Sequence, residues 1–148
     1  MIEAEGNCAI MIYILDAAAI LNNESFSFDS KNRYFTTSHV FSEWRDFRSR
    51  GLAENAAQAG SLSIADPCPL SIEKAHSLCA ASSTRLGRAD ISIAALSLEF
   101  SGRGEKFAVI TDDYSVQNVL KKAGIDFIGV AQGEIKRHRK FGKRKKQY

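Results

Sequence analysis

The feature that most constrains this 148-residue chain is an apolar stretch from Cys8 to Leu15 that ends at Asp16. The stretch is rich in Ile and shows no alternation of polar and apolar residues, which is typical of a β-strand buried on both faces. Such strands occur in parallel sheets that are covered by helices on both sides. The full apolar run to Leu21 is too short to span a bilayer and follows two acidic residues, so we expect neither a signal peptide nor a membrane helix.

The rest of the chain alternates predicted helices with short predicted strands. The spacing of apolar residues predicts helices over residues 17–21, 39–50, 71–82, 89–100 and 114–123 and strands over 34–37, 61–64, 107–110 and 126–130. The Ala-rich segment over 52–59 continues the second helix or begins another. Ser38 is the expected N-cap of the second helix, and Trp44, Phe41 and Phe47 are expected in its core-facing stripe. The pattern predicts an α/β fold, a three-layer α/β/α sandwich with a mostly parallel central sheet.

Charge is distributed unevenly along the chain. Residues 131–148 carry eight Lys or Arg and one Glu, a net charge of +7, whereas residues 1–130 carry 12 Lys or Arg and 16 Asp or Glu, a net charge of −4. We therefore expect one globular domain over 1–130 and a basic C-terminal tail over 131–148. A basic end of this kind indicates a polyanionic partner. Its basic residues are Lys136, Arg137, Arg139, Lys140, Lys143, Arg144, Lys145 and Lys146.

The cysteines indicate a reducing compartment. There are three, at Cys8, Cys68 and Cys79, and they form no Cys-x-x-Cys pair. Any disulfide would leave one of them unpaired, so free thiols in the cytoplasm are the simplest expectation. A zinc site built from cysteine pairs is not expected.

Acidic residues are predicted to meet at one edge of the sheet. Asp16 follows the first strand, and Thr111, Asp112 and Asp113 follow the strand over 107–110. The carboxyl ends of parallel strands share an edge, and ligands of open α/β sheets bind there. Two helical residues are expected near the same edge, namely Glu43, within two turns of a helix start, and Asp90, in the first turn of another helix.

Carboxylates that converge in this way repel one another unless a cation neutralises them, and oxygen ligands suit Mg²⁺ or Mn²⁺. Each residue also has a purely structural interpretation. Asp112 can cap the following helix and Asp16 can cap a strand end. Asp90 can be a first-turn anion, and Glu43 can pair with a nearby arginine on the surface.

Four blocks of the sequence resemble a known family. They are Tyr13–Ala19, Thr36–Ser38 running to Glu43, Leu86–Ile91, and the segment Ile-Thr-Asp-Asp-Tyr-Ser-Val-Gln-Asn-Val from Ile110 to Val119. In order and spacing they are similar to the motifs of PIN-domain ribonucleases. The last block resembles the Nob branch, whose members trim the 3′ end of small-subunit ribosomal RNA.

The resemblance implies a Mg²⁺- or Mn²⁺-dependent endoribonuclease. It implies that Asp16, Glu43, Asp90 and Asp113 bind the metal. The Thr-x-Asp pattern of the last motif falls on Thr111 and Asp113, and Asp112 stays a catalytic candidate beside them. Thr111 would orient a carboxylate or a water through its hydroxyl. Nob proteins usually carry a cysteine-based zinc ribbon after the PIN domain, whereas the residues after Val130 hold no cysteine.

Three functions remain open. The first is a ribonuclease of small-subunit rRNA 3′-end maturation, whose basic tail holds RNA while the acidic site cuts it. The second is a toxin ribonuclease of the VapC kind, held in check by an antitoxin. The third is a non-catalytic RNA-binding factor of ribosome assembly. In all three the partner is RNA, no membrane is involved, and a homodimer is compatible with the family. The tail can alternatively be a solubilising end.

Overall fold

The computed structural model describes residues 10–130 and the backbone of 136–137. The strands are β1 (Ile12–Leu15), β2 (Arg33–Thr36), β3 (Leu62–Ile64), β4 (Ala108–Ile110), β5 (Phe127–Gly129) and β6 (Lys136–Arg137). The helices are α1 (Ala18–Leu21), α2 (Ser38–Phe41), α3 (Phe47–Ala59), α4 (Pro69–Ala81), α5 (Arg88–Gly102) and α6 (Tyr114–Ala123).

The strands form one sheet in the order β3-β2-β1-β4-β5-β6. The first five are parallel, and β6 pairs antiparallel with β5. The helices α4, α5 and α6 pack together, and α3 packs against β3. The predicted α/β sandwich with a mostly parallel sheet is confirmed. The strand order changes direction between β1 and β4, which is the position where such sheets bind ligands.

The core lies on both faces of the sheet. Ile14 and Leu15 of β1 and Val109 of β4 are fully buried, as a two-sided parallel sheet requires. A smaller apolar cluster joins α4, α5 and α6 through residues such as Cys79 and Val119.

One predicted helix is wrong. Instead of a single helix over 39–50, the chain forms α2, a non-helical segment over 42–46 and then α3. The N-cap of α2 is Thr37, whose Oγ1 accepts a hydrogen bond from the Val40 N–H, and not Ser38. Asp46 caps α3 by accepting a bond from the Ser49 N–H. The interruption rotates Phe47 out of the predicted apolar stripe, and its side chain is 97% exposed.

The predicted tail lies largely outside the described residues. Only the backbone of Lys136 and Arg137 is described, as the edge strand β6. The other basic residues singled out above, Arg139, Lys140, Lys143, Arg144, Lys145 and Lys146, fall beyond it. Within the described residues, no helix combines the length and apolar character that crossing a membrane requires.

Candidate active site

A cleft of about 340 Å³ opens at the carboxyl ends of β1 and β4. Four of the predicted acidic residues line it, and we call it the acidic cleft: Asp16, Glu43, Asp90 and Asp113. They come from four separate parts of the chain. Asp16 and Asp113 meet because each follows one of two neighbouring parallel strands. Asp90 comes from the first turn of α5, and Glu43 comes from the segment between α2 and α3.

Asp16 is held from two sides. Its side chain is 4% exposed, its Oδ1 accepts a 2.7 Å hydrogen bond from the Ala17 N–H, and its Oδ2 accepts a 2.7 Å bond from the Thr111 hydroxyl. Burial raises the pKa of the Asp16 carboxyl, while the two hydrogen bonds lower it and the charges of Asp113 and Glu43 raise it. The two hydrogen bonds fix the direction of the carboxylate. The net effect raises the pKa, so the ionised form of Asp16 is destabilised unless a positive charge lies nearby.

The two aspartates after β4 point to different places. Asp113 lines the acidic cleft and caps α6 by accepting a 2.8 Å bond from the Ser115 N–H. Its own N–H donates to Thr111 Oγ1 at 3.2 Å. Asp112 instead reaches toward β5, where its Oδ1 accepts a 2.7 Å bond from the Val130 N–H. The structure thus brings Asp113, rather than Asp112, beside Asp16.

The raised pKa of Asp90 reflects its burial and the negative charges around it in the cleft. It lies in the first turn of α5 and is half-buried. Burial, followed by the charges of Asp16, Asp113 and Glu43, raises its pKa from 3.8 to about 7. A cation in the cleft would relieve this repulsion.

Glu43 is placed by its neighbour Trp44. Glu43 is exposed and lies in the segment between α2 and α3, where no helix fixes its direction. The indole of Trp44 is fully buried, and its Nε1 donates a 3.0 Å hydrogen bond to the carbonyl of Ala17. Because Ala17 follows Asp16, this bond draws Glu43 toward the cleft. The Arg48 guanidinium reinforces it with a 2.7 Å bond to the Ile20 carbonyl.

The donor set fits a hard divalent cation by its chemistry. All four acidic residues offer carboxylate oxygens, the ligands that Mg²⁺ and Mn²⁺ prefer. As the side chains stand in residues 10–130, no three Asp, Glu, His or Cys groups are close enough together to hold an ion. Mg²⁺ keeps several waters in proteins, so these carboxylates can reach it partly through water.

Two further residues in or next to the site segments were not singled out from the sequence as functional candidates. Arg88, the first residue of α5, lines the cleft two positions before Asp90. The only sequence signal for Arg88 is that it lies within the Leu86–Ile91 block, which resembles a family motif. Tyr114, which follows Asp113 and begins α6, is 80% exposed.

Comparison with known proteins gives a consistent result. A family model described as the PIN domain of ribonuclease matches residues 13–100. Endoribonuclease Nob1 of Methanothermobacter thermautotrophicus is 34% identical over 132 residues, which cover 88% of this chain and 75% of that protein. Ribonuclease VapC3 of Aeropyrum pernix is 29% identical, with 78% of this chain and 83% of that protein covered. Endoribonuclease Nob1 of Methanocaldococcus jannaschii is 29% identical, with 81% and 57% covered.

A solved structure shares the fold. The PIN domain endonuclease Utp24 superimposes with a TM-score of 0.54 at 18% identity, and the match covers 86% of this chain and 91% of that chain. At this identity the likeness concerns the architecture of the sheet and its helices.

Proposed function

The chain belongs to the PIN-domain ribonuclease family, and from that premise we propose that it is a Mg²⁺- or Mn²⁺-dependent endoribonuclease that cuts RNA in the acidic cleft. The observation that carries the proposal is the meeting of Asp16, Glu43, Asp90 and Asp113 in one cleft at the switch point between β1 and β4. A binding module gains nothing from four carboxylates that face a polyanion, so the cleft also argues against a non-catalytic assembly factor.

We assign the metal to the same four carboxylates. When bound, the ion supplies positive charge that polarises a phosphodiester and acidifies water. Asp16 is prepared for this role, because the Thr111 hydroxyl and the Ala17 N–H hold both of its oxygens in place. The Asp113 carboxylate is held by the hydrogen bond that it accepts from the Ser115 N–H. The Asp113 N–H donates to Thr111 Oγ1, which fixes the turn between β4 and α6.

The surroundings favour a single-stranded substrate. The cleft is open to the surface, and the exposed ring of Tyr114 stands one residue after Asp113. An exposed aromatic ring can stack on an unpaired base, whatever the sequence of the RNA. The basic residues from Lys136 to Lys146 would add phosphate contacts that carry no sequence information.

We propose the 3′ end of a small-subunit rRNA precursor as the substrate. This proposal rests on the Thr-Asp-Asp-Tyr-Ser segment from Thr111 to Ser115 and on the similarity to Nob1 endoribonucleases over 88% of the chain. A toxin-type ribonuclease is the second candidate, because the match to VapC3 covers 83% of that protein, compared with 75% for the first Nob1.

The test is cleavage of an rRNA 3′-precursor fragment by the full chain with Mn²⁺ or with EDTA. We expect cutting at one position that needs the metal, and we expect Asp16→Asn to lower the rate by about 100-fold or more, since even groups that only orient a metal ligand matter roughly 10- to 100-fold. Glu105→Gln, an exposed acidic site, is the control. Cutting that persists in EDTA contradicts the proposed dependence on a metal. Preferred cutting of tRNA favours the toxin-type ribonuclease.

A further inference from the structure

A second concave surface adjoins the acidic cleft. It is a groove of about 630 Å³ between α2, α4 and α5, and it is lined by His39, His76, Arg88 and Ser92 together with apolar residues. We call it the histidine groove. Arg88 lines both the groove and the acidic cleft. The two concavities therefore adjoin at Arg88, the first residue of α5.

Three exposed side chains of the groove carry hydrogen-bond donors, whereas its fourth polar residue, Ser92, is bonded to Thr37 and Ala89. His39 and His76 are exposed, and Arg88 is exposed as well. Within the described residues none of the three side chains makes a hydrogen bond or an ion pair with another residue. Two arginines of α3 differ in this respect, since Arg48 and Arg50 donate to backbone carbonyls. The groove thus offers hydrogen-bond donors to something outside the protein.

The chemistry of this surface complements that of the cleft. Four carboxylates next to a metal can engage one phosphodiester, but they repel the phosphates on either side of it. A strand that passes the cleft needs donors for the next phosphates along. Imidazole N–H groups and a guanidinium are suitable donors to phosphate oxygens.

We infer that the histidine groove binds the phosphate backbone of the RNA strand as it leaves the acidic cleft, with Arg88 at the junction and His39 and His76 on the following phosphates. This inference rests on the proposed function of the cleft. It defines the direction of the RNA over the surface, from β1 and β4 across the start of α5 toward α4.

The test compares His39→Ala/His76→Ala with Lys74→Ala. Lys74 is an exposed basic residue on α4, two positions from His76, but it lines a different groove. All three sites are exposed, so little effect on folding is expected. Binding of a single-stranded RNA that spans both concavities, and of a shorter one that fills only the cleft, is measured by fluorescence anisotropy in EDTA.

We expect the double variant to bind the longer RNA about tenfold more weakly and the shorter RNA as the unchanged chain does, since two solvent-exposed hydrogen bonds of ordinary net strength are lost. Lys74→Ala should leave both affinities unchanged. Equal affinities of the double variant and the unchanged chain for the longer RNA overturn the inference, as does an equal loss in Lys74→Ala. A double variant that dissociates a dimer and keeps its RNA affinity also overturns it, because the groove then seats a second copy.

The two proposals fail in distinguishable ways. Binding in EDTA does not require cleavage, so it tests the groove even if the chain cuts no RNA. Absence of cutting with Mn²⁺, with RNA still bound through the groove, contradicts the proposed activity alone.

Discussion

The hydroxyl of Thr111 joins β4 to the carboxylate that follows β1. It is fully buried and donates a 2.7 Å bond to Asp16 Oδ2. Replacing it with valine keeps the shape of the side chain but leaves a buried carboxylate oxygen without its donor. A buried hydrogen bond to a charged group contributes about 1.5–3 kcal/mol.

We expect Thr111→Val to lower the cleavage rate roughly 10- to 100-fold, which is that energy expressed as a rate. Thr111→Ser retains the hydroxyl and should recover most of the rate. The measurement is single-turnover cleavage at saturating Mn²⁺. Equal rates for the valine and serine variants would show that the methyl group, and not the hydroxyl, matters.

Asp90 makes the stability of the metal-free protein depend on pH. Its pKa is raised from 3.8 to about 7, mainly by burial and then by the charges of its acidic neighbours. Between these values the folded chain holds a proton that the unfolded chain has lost, so its stability falls as the pH rises from about 4 to about 7. Asp90→Asn should remove this loss.

We therefore expect the Tm of Asp90→Asn in EDTA to rise relative to the unchanged chain as the pH is raised across that window. Thermal unfolding at several pH values measures it, with Glu105→Gln as the control. Added Mg²⁺ should reduce the difference, because an ion in the cleft stabilises the ionised carboxylate. If the Tm values of Asp90→Asn and of the unchanged chain change with pH in parallel in EDTA, the raised pKa of Asp90 is contradicted.

The strand pattern alone could not predict which of two adjacent aspartates faces the cleft, although the Thr-x-Asp resemblance favoured Asp113. The sequence places Asp112 and Asp113 equally close to the end of β4, and the direction of each side chain depends on the turn that follows. The structure resolves the turn through two local bonds, Asp113 N–H to Thr111 Oγ1 and Ser115 N–H to Asp113 Oδ1. The position of Asp16, by contrast, was predictable, because an acidic residue directly after a two-sided apolar strand has few other places to lie.

At the scale of elements, the contact between β4 and β5 depends on Asp112 and Gly129. Asp112 Oδ1 accepts the 2.7 Å bond from the Val130 N–H, and a Cβ at Gly129 would lie 2.9 Å from the same oxygen. Both sites are thus constrained by packing. The catalytic role predicted for Asp112 stays a prediction that stability and activity measurements can separate.

We expect Asp112→Ala to lower the free energy of unfolding by about 1–3 kcal/mol, because the Val130 N–H loses its acceptor. Asp113→Ala should lower the cleavage rate of the folded protein far more than Asp112→Ala does. Urea unfolding and cleavage per folded molecule are the two readouts. A larger loss of rate in Asp112→Ala would place the reactive carboxylate at Asp112.

The segment between α2 and α3 is the element that sequence analysis got wrong. Apolar spacing alone favoured one helix, since Val40, Phe41 and Trp44 fit a helical stripe. Tertiary contacts overrode it, because the Trp44 indole bonds to Ala17 and Asp46 begins a new helix. The end of α6 at Gly124 was predicted correctly, because its left-handed φ of 75° favours glycine.

We expect Trp44→Phe to keep most of the packing but to release the Ala17 carbonyl and move Glu43. The loss of one buried hydrogen bond should lower stability by about 1–3 kcal/mol and raise the Mn²⁺ concentration needed for half-maximal cleavage. Glu43→Gln should raise the Mn²⁺ concentration needed for half-maximal cleavage by a similar factor without lowering stability. If Trp44→Phe needs the same Mn²⁺ concentration as the unchanged chain, the Trp44–Ala17 hydrogen bond does not position Glu43.

At the scale of the whole molecule, charge is divided between an acidic body and a basic end. Ending the chain after His138 keeps the two residues of β6 and removes six of the eight basic residues of the tail. If all six contact phosphates, the slope of log K against log[salt] for single-stranded RNA should become shallower by about 4. Anisotropy titrations over a range of salt measure it, and an unchanged slope would assign the tail to solubility alone.

The bond between Thr111 and Asp16 joins residues 95 positions apart, and this separation has a consequence for the timing of synthesis. A nascent chain that has not yet extended past Thr111 and Asp113 lacks one of the four carboxylates of the cleft and the hydroxyl that holds another, however well its first strands have formed. Contacts so distant in sequence form late, since a long loop must close before they can. Under the proposed function, an emerging chain therefore gains its activity only after Thr111 and Asp113 have been added and have folded against β1.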